Sequence, residues 1–268
     1  MTRLCALYRV TRAGYYAWRA RPTSARVEQD RQLLTRITRI FAVHRGADGS
    51  PRVHRALADE GIATRRRRVA RLMRSAGLRG RVVRIYKANP GVHGFYGQHP
   101  NRLRTRSASG PNQIWVGDIT YIAVAGHWRF LAVVMDRYSR RLLAWALARQ
   151  RGAQLTRAVL NAATRRRQPP PGLIFHSDRG SEYSAAAFRD RLVRLAAQQS
   201  STQGGPGDDA HMESFFHSLK AELIHGRRFD TDTVLRRELQ RYIRYYNCER
   251  LHSALASQSP VDYESRAA

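Results

Sequence analysis

Apolar side chains in the first third of the chain recur at helical spacing. In one stretch they lie three and four residues apart: Leu33, Leu34, Ile37, Ile40 and Phe41. This spacing places them on one face of an amphipathic helix. We therefore predict a helix over residues 24–43, with arginines on its outer face.

Two shorter helices are predicted next. Ser50 followed by Pro51 is a typical helix start, because serine caps free backbone amides and proline fits the first helical position. This helix is expected over residues 50–60, and another over residues 64–76. Two short helices joined by a tight turn form a helix-turn-helix-like pattern.

The pattern changes near Gln113. Three runs rich in Val, Ile, Trp, Tyr and Leu follow one another, separated by short turns: residues 113–124, 127–136 and 140–148. They predict an antiparallel meander. Helices are then expected at 153–167 and 185–197 with a short strand at 173–175 between them, and two more helices after a glycine-rich loop at 204–207, the last over 231–246. This order of elements indicates an α/β domain.

The charge of the chain points to a polyanionic partner. Lys and Arg total 48 against 20 Asp and Glu, a formal net charge of +28. Residues 1–112 carry 25 of the basic and 5 of the acidic residues. A GC-rich genome explains the preference for arginine over lysine, but it does not explain the shortage of carboxylates. Nucleic acid is therefore the expected partner.

The second helix of the pair concentrates part of this charge. Arg67, Arg71 and Arg74 lie at i, i+4 and i+7, on a different face from the apolar positions. This face is suited to DNA phosphates, and a solvated basic face without a specific role is the alternative.

Other protein classes are excluded by length and composition. The apolar runs fall well short of the roughly 20 residues that a membrane-spanning helix needs. Nothing at the N-terminus resembles a secretory signal, and two cysteines cannot form a disulfide scaffold or a cysteine-built zinc site. We expect an intracellular, cytoplasmic protein without a membrane partner.

Two aspartates occupy unusual positions in predicted strands. Asp118 interrupts an otherwise apolar run that is predicted to be a central strand. Asp178 comes shortly after the short apolar strand predicted at 173–175. Burying an ionised carboxylate costs several kcal/mol unless a cation or several hydrogen-bond donors meet it. A structural aspartate bonded to backbone amides is the usual explanation of one such residue, but the repetition favours a shared site.

A third carboxylate, Glu213, lies on a predicted helix. Its neighbours on that face are Asp209, His217 and Lys220, beside an apolar stripe that anchors the helix. Three carboxylates from two strands and a helix suit a hard cation such as Mg²⁺ or Mn²⁺. Two such ions would stabilise the attacking and leaving oxygens of a phosphoryl transfer.

Strings of residues along nearly the whole chain resemble one family. The three that hold the carboxylates are WVGDITY (115–121), HSDRGS (176–181) and MESFF (212–216); the others are GYYAW (14–18), GSPRV (49–53), RVARLM (68–73), YYN (245–247) and RLHSAL (250–255). Together, in this order, they resemble the DDE transposases of bacterial insertion sequences of the IS3 type, the product of the second reading frame.

This resemblance implies a fold and a site. It implies an α/β, RNase H-like, retroviral-integrase-like catalytic domain with a mixed sheet, preceded by an all-α helix-turn-helix-like region. Asp118, Asp178 and Glu213 would be the catalytic, metal-binding triad, and Lys220 would lie beside the substrate DNA. The expected organisation is a helical DNA-binding region at 1–80, a basic linker at 81–112, the catalytic core at 113–225 and a helical C-terminal extension at 226–268.

The resemblance also implies an activity and partners. Metal-activated water would cut the element end, and the freed 3′-hydroxyl would attack target DNA. The expected partners are insertion-sequence ends and target DNA, further copies of the chain on that DNA, and an upstream reading-frame product joined by frameshifting, in the nucleoid of a bacterium. An inactive DNA-binding regulator and an RNase H-like nuclease are the alternatives.

Several residues are interpreted separately. Arg250 is expected to approach the DNA backbone, and His176 to be hydrogen-bonded at a strand end and not to bind a metal. Gly117 stands where the family usually has threonine, and a tolerated substitution is expected. The interval from Asp178 to Glu213 is one residue shorter than in the family. Catalysis is the prediction that this difference concerns most directly.

Overall fold

The computed structural model describes residues 2–20, 24–81, 99–202 and 210–266. The chain divides into two compact units, residues 1–80 and 81–268. Most of the predicted linker and all of the predicted glycine-rich loop at 204–207, with Asp209, lie outside the described residues. In the described part of the chain, none of the helices is both long and apolar enough to cross a membrane.

The first unit is helical. Its elements are α1 (Thr2–Leu7), α2 (Arg12–Arg19), α3 (Ala25–Val43), α4 (Ser50–Asp59) and α5 (Arg66–Ser75). The helices predicted at 24–43, 50–60 and 64–76 are confirmed, with ends displaced by at most two residues. Ile37, Val53, Leu57 and Val69 are fully buried where α3, α4 and α5 pack together.

The second unit contains one mixed sheet. Its strands are β1 (Ile114–Val124), β2 (His127–Asp136), β3 (Leu142–Ala148), β4 (Ile174–Ser177) and β5 (Gln198–Ser201), in the order β3-β2-β1-β4-β5. The first three strands form the predicted antiparallel meander, whereas β4 pairs parallel with both β1 and β5. Strand β5 was not predicted, because its sequence QQSS has no apolar pattern.

Helices cover both faces of this sheet. They are α6 (Ala153–Arg167), α7 (Ser181–Ser184), α8 (Ala186–Arg194), α9 (Ala210–Leu219), α10 (Asp232–Cys248) and α11 (Pro260–Ser265). Helix α9 continues into one π-helical turn, Lys220–Ile224. Val116 and Ile122 of β1 point to the core beneath α9 and α10, while Trp115 points to the core beneath α6 and α8. Both faces of β1 are therefore buried over its first four residues, which explains their apolar sequence, whereas Tyr121 and Ala123 further along the strand are exposed.

The ends of the second unit pack onto the same sheet. Tyr246 of α10 lies edge-to-face on Phe215 of α9, with ring centroids 5.0 Å apart. Before β1, the backbone amide of Arg102 donates to Ser200 Oγ of β5, and Ser201 Oγ donates to the carbonyl of His99. Residues 99–102 of the predicted linker are thus bound to the edge of the sheet.

Candidate active site

The two predicted aspartates lie at the end of one parallel strand pair. The pairing of β1 with β4 ends at Gly117 and Ser177, and Asp118 and Asp178 are the next residues on the two strands. Because neighbouring strands lie about 4.8 Å apart, the two side chains extend from adjacent backbone positions. The pairing therefore brings together two carboxylates that are 60 residues apart in sequence.

Each aspartate is oriented by a local backbone amide. Asp118 Oδ1 accepts a hydrogen bond of 2.6 Å from the amide of Ile119, and Asp178 Oδ1 accepts one of 3.0 Å from Gly180. Both residues are partly buried. Such hydrogen bonds stabilise the ionised form of a carboxylate, which is the form that binds a cation.

A guanidinium group lies beside this pair. Arg151 Nη2 is 3.9 Å from Asp178 Oδ2, and Arg151 Nε donates a hydrogen bond of 2.7 Å to Oε1 of the buried Glu182. Burial lowers the pKa of Arg151, but the hydrogen bond to Glu182 and the charges of Asp178 and Asp118 outweigh that effect and raise it. Arg151 thus supplies positive charge at the carboxylate pair.

A buried tyrosine lies beneath the same carboxylates. Tyr183 is 2% exposed, and in the described part of the chain its hydroxyl has no hydrogen-bond partner. Burial, followed by the negative charges of Asp118, Asp178 and Glu182, raises its pKa well above the ordinary value of a tyrosine. The hydroxyl is therefore neutral and cannot serve as a base.

Sequence reasoning did not identify Arg151, Glu182 or Tyr183. Glu182 and Tyr183 stand directly after the string that carries Asp178, so their position was a usable signal. Arg151 is one arginine among many, and no local pattern distinguishes it. Its role depends on the fold bringing the start of α6 to the end of β4.

Glu213 lies in the first turn of α9. Its side chain is exposed, while Met212 and Phe215 on either side of it are fully buried and hold the helix against β1. Across residues 2–20, 24–81, 99–202 and 210–266, no group of three or more His, Cys, Asp or Glu side chains is close enough to hold a metal ion. The structure brings Asp118 and Asp178 together but does not complete a three-carboxylate cluster with Glu213.

Lys220 lies at the end of α9, where the π-helical turn begins. Its Nζ is 5.2 Å from the ring centroid of Tyr121, which belongs to β1. The ring is in turn edge-to-face with Trp128 of β2. The lysine predicted to approach DNA therefore lies above an aromatic side chain three residues beyond Asp118.

The predicted DNA contact of Arg250 does not fit its position. Arg250 is 6% exposed, and its Nη2 lies 2.8 Å from Glu222 Oε1 and 2.9 Å from Ser218 Oγ. Burial lowers its pKa, but hydrogen bonding to Glu222 outweighs burial and raises it. The guanidinium is bound inside the protein and connects the end of α10 to the π-helical turn.

His176 is hydrogen-bonded within the sheet, as expected. It is fully buried in β4, with Nδ1 2.8 Å from Ser200 Oγ and Nε2 3.3 Å from Thr202 Oγ1. Both ring nitrogens therefore lie within hydrogen-bonding distance of protein hydroxyls.

The arginines of α5 differ in their surroundings. Arg71 Nη2 lies 2.6 Å from Asp30 Oδ2, and Arg68 Nε lies 2.7 Å from Asp30 Oδ1. Within the described residues, Arg67 and Arg74 are exposed and form no salt bridge. A pocket of about 710 Å³ on this surface is lined by Arg26, Ala63, Thr64, Arg65, Arg67, Arg68 and Arg71.

Three family models match this chain. An HTH-like domain matches residues 28–86, an integrase core domain matches residues 108–205, and a second integrase core domain model matches residues 213–267. Asp118 and Asp178, where the pairing of β1 with β4 ends, fall in the first integrase match, and Glu213 begins the second. The mixed five-stranded sheet and these matches define an RNase H-like integrase core, preceded by a helix-turn-helix-like region.

Curated relatives cover most of the chain. It is 36% identical over 247 residues to the transposase for insertion sequence element IS904 of Lactococcus lactis, covering 91% of this chain and 97% of that protein. It is 35% identical over 268 residues to the transposase InsF for insertion sequence IS3A of Escherichia coli, covering 98% and 93%. The catalytic core domain of HTLV-2 integrase in complex with magnesium is 14% identical and covers 59% of this chain and 99% of that chain, with a TM-score of 0.47.

These findings identify the class and then the family. The chain is an integrase-core enzyme of the polynucleotidyl transferase type, with an HTH-like region characteristic of DNA-binding proteins. It belongs to the IS3 family of insertion-sequence transposases. The predicted fold class and family are confirmed.

Proposed function

We propose that this chain cuts DNA at the ends of an insertion sequence and joins the freed 3′-hydroxyl to target DNA, using Asp118, Asp178 and Glu213. The observation that carries the proposal is that Asp118 and Asp178 directly follow the last paired residues of β1 and β4 inside an integrase core sequence. Two partly buried carboxylates side by side favour cation binding, because their mutual repulsion is relieved when a cation lies between them.

The integrase core family is metal-dependent, and the donor set here fits a hard divalent cation. Asp118 and Asp178 would hold Mg²⁺ or Mn²⁺, and Glu213 is the proposed third ligand from α9. Two ions per site would supply Lewis acidity at the attacking and leaving oxygens of the phosphodiester. All three proposed ligands carry oxygen donors, which these cations prefer.

The remaining roles belong to basic residues of the chain. Arg151 would balance the charge of the two aspartates and, with 49% of its side chain exposed, face substrate phosphate. Lys220 would contact the DNA backbone near the site. In the HTH-like region, DNA phosphates would be bound by Arg67, Arg71 and Arg74. Arg71 also forms a salt bridge with Asp30.

The proposed partners follow from this chemistry and from the family. Insertion-sequence ends and target DNA are the substrates, and the excess of positive charge on the chain complements both. Joining two element ends to one target requires more than one active site, so we propose assembly of several copies on DNA. An upstream reading-frame product or frameshift fusion would add end recognition.

Catalysis is tested with variants that preserve shape and remove charge. Asp118→Asn, Asp178→Asn and Glu213→Gln should each abolish Mg²⁺-dependent cleavage and strand transfer on an oligonucleotide duplex bearing the element's terminal repeat, while leaving DNA affinity within a few-fold of wild type. Asp190→Asn, on the exposed side of α8, is the matched control and should retain activity.

The products separate the proposal from its alternatives. Strand-transfer products that depend on Asp118, Asp178 and Glu213 support the transposase. DNA binding without metal-dependent cleavage would indicate a regulator, and cleavage without joined products would indicate a nuclease. Retained activity in Glu213→Gln with loss in both aspartate variants would remove Glu213 from the site.

A further inference from the structure

Two large aromatic side chains are exposed near the carboxylate pair. Tyr121 of β1 is 53% exposed and Trp128 of β2 is 58% exposed, with ring centroids 4.9 Å apart and ring planes at 81°. In the strand register Tyr121 lies opposite Phe130, and Trp128 lies opposite Ala123. The two rings therefore project from the same face of the β1–β2 pair as diagonal neighbours.

The pair is accompanied by a cation. Lys220 Nζ lies 5.2 Å from the ring centroid of Tyr121, which is within the range of a cation–π interaction. In the described part of the chain, no carboxylate forms a salt bridge with Lys220. The ammonium thus lies at the ring and is available to bind an anionic partner.

The cluster lies beyond Asp118 along β1. Tyr121 is three residues beyond Asp118, which corresponds to about 10 Å along a strand, and because side chains alternate between faces its ring projects from the opposite face of β1. Among the described residues, the pairing of β1 with β4 ends at Gly117, so this part of β1 is next to an open edge of the sheet. About 10 Å matches roughly three nucleotide steps of a stacked DNA strand.

We propose that Tyr121 and Trp128, with Lys220 beside them, form a subsite for an unpaired nucleobase of the DNA strand that enters the active site. Aromatic rings stack on any base through its π-face, and a neighbouring cation binds the adjacent phosphate. An exposed Tyr–Trp pair costs free energy in water, and stacking on a base removes that cost. The inference rests on the proposed function, since it places the base on the strand being cut.

Charge complementarity identifies the occupant as DNA. The chain carries a formal charge of +28, and the cation at the rings is a lysine without a carboxylate partner within the described residues. Arg149, 80% exposed just after β3, shares the carboxylate of Asp232 with Arg129, so these three side chains leave one net positive charge on the same sheet. A nucleobase would stack on the rings and its phosphate would bind the ammonium, whereas an apolar protein surface would leave Lys220 without a counter-charge.

The test uses the full chain and a single-stranded 12-nucleotide oligothymidine carrying one 2-aminopurine, whose fluorescence falls when it stacks. Binding is measured in Ca²⁺ or EDTA, so cleavage does not contribute. We expect Tyr121→Ala and Trp128→Ala to weaken binding at least about fivefold and to lose the quenching, and Tyr121→Phe to retain both. Val193→Ala, at a still more exposed apolar position on α8 (75%), is the control and should bind as wild type.

A second oligonucleotide separates stacking from charge. Replacing one thymidine by an abasic residue keeps every phosphate. At the stacked position this replacement should weaken DNA binding by the wild type and leave DNA binding by Tyr121→Ala unchanged. Thermal unfolding checks that each variant is folded. Asp118→Asn should lose cleavage and still quench 2-aminopurine. Cleavage retained in Asp118→Asn, with quenching intact, would count against the proposed function and not against the subsite.

Two results would overturn the subsite. One is equal affinity of wild type, Tyr121→Ala and Trp128→Ala for both the normal and the abasic oligonucleotide. The other is a change of oligomeric state in the alanine variants with DNA binding unchanged, which would show that the rings form a contact between copies of the chain.

Discussion

The ring of Phe175 occupies the space that a side chain at Gly117 would need. A Cβ at position 117 would come within 2.5 Å of Phe175 Cζ, across the paired strands β1 and β4. Phe175 is fully buried, and its ring packs edge-to-face against Phe188 at 5.3 Å. The ring therefore cannot move without disturbing the core beneath Asp118 and Asp178, which gives a physical reason for glycine directly before Asp118.

Gly117→Ala should consequently destabilise the protein by about 1–3 kcal/mol, because the added methyl group overpacks the site. Urea unfolding measures this change. Gly152→Ala is the matched control, since its backbone is extended and its Cβ would meet nothing within 4 Å. Adding Phe175→Leu to Gly117→Ala should recover part of the lost free energy of unfolding. A urea midpoint in Gly117→Ala equal to that of the wild type would contradict the steric explanation.

Arg151 should matter for stability as well as for the site. Arg151→Ala leaves the buried carboxylate of Glu182 without its cation, and we expect a loss of about 1–3 kcal/mol. Adding Glu182→Gln to that variant should restore part of the stability, because no buried charge then remains unpaired. A double-mutant cycle by urea unfolding checks this, with Arg157→Ala on the exposed face of α6 as control. Purely additive losses would show that the two side chains are not coupled.

Arg250 is predicted to act through packing and not through DNA. Arg250 and Glu222 are both almost fully buried, so Arg250→Ala leaves a buried carboxylate without its guanidinium and should cost about 3–5 kcal/mol. Arg244→Ala, on the exposed side of α10, should be nearly neutral. Stability is read from thermal unfolding and DNA affinity from fluorescence anisotropy below the transition. A stable Arg250→Ala variant with reduced DNA affinity would restore the original expectation of a DNA contact.

The arginines of α5 should determine the salt dependence of DNA binding. If Arg67 and Arg74 each neutralise a phosphate, replacing either with alanine should reduce the slope of log affinity against log salt by about 1, uniformly across DNA sequences. Arg36→Ala, exposed on α3, is the control. Slopes equal to wild type in both variants would show that this face of α5 is solvated and has no phosphate contact.

The pH dependence of stability includes a contribution from Asp136. Its carboxylate is fully buried and accepts hydrogen bonds from the amides of Asn112, Tyr138 and Ser139. Burial raises its pKa above 3.8, and the hydrogen bonds from Asn112 and Ser139 only partly oppose this. The folded state then binds the proton more tightly than the unfolded state, so this contribution is present below about pH 4 and is lost as pH rises through the raised pKa.

Comparison with Asp136→Asn isolates that contribution. The free energy of unfolding of the wild type minus that of the variant should decrease as pH rises above about 4. Urea unfolding at a series of pH values measures this difference. NMR titration of the carboxyl carbon gives the pKa directly. A value at or below 3.8 would contradict the expected sign.

Local sequence patterns were sufficient for most of the secondary structure. The helix start near Ser50 was predictable because proline preferences act within one turn, although Gly49 and not Ser50 is the capping residue. The meander was predictable because β-type runs and turn residues act between neighbours. Strand β5 was missed because its polar residues form a strand only through pairing with β4. The HTH-like region and the integrase core followed from strings that the family keeps in order.

What the sequence determined by itself is therefore the order of the elements, the family, and the candidate carboxylates. The tertiary structure alone decided which charges meet: Asp118 beside Asp178, Arg151 between Asp178 and Glu182, and Arg250 turned inward to Glu222. Helix and turn preferences depend on neighbours a few residues apart, whereas these contacts join positions separated by up to 60 residues. Arginines that look alike in sequence differ in role because burial and the nearest carboxylate, which only the folded chain sets, decide what each guanidinium can bind.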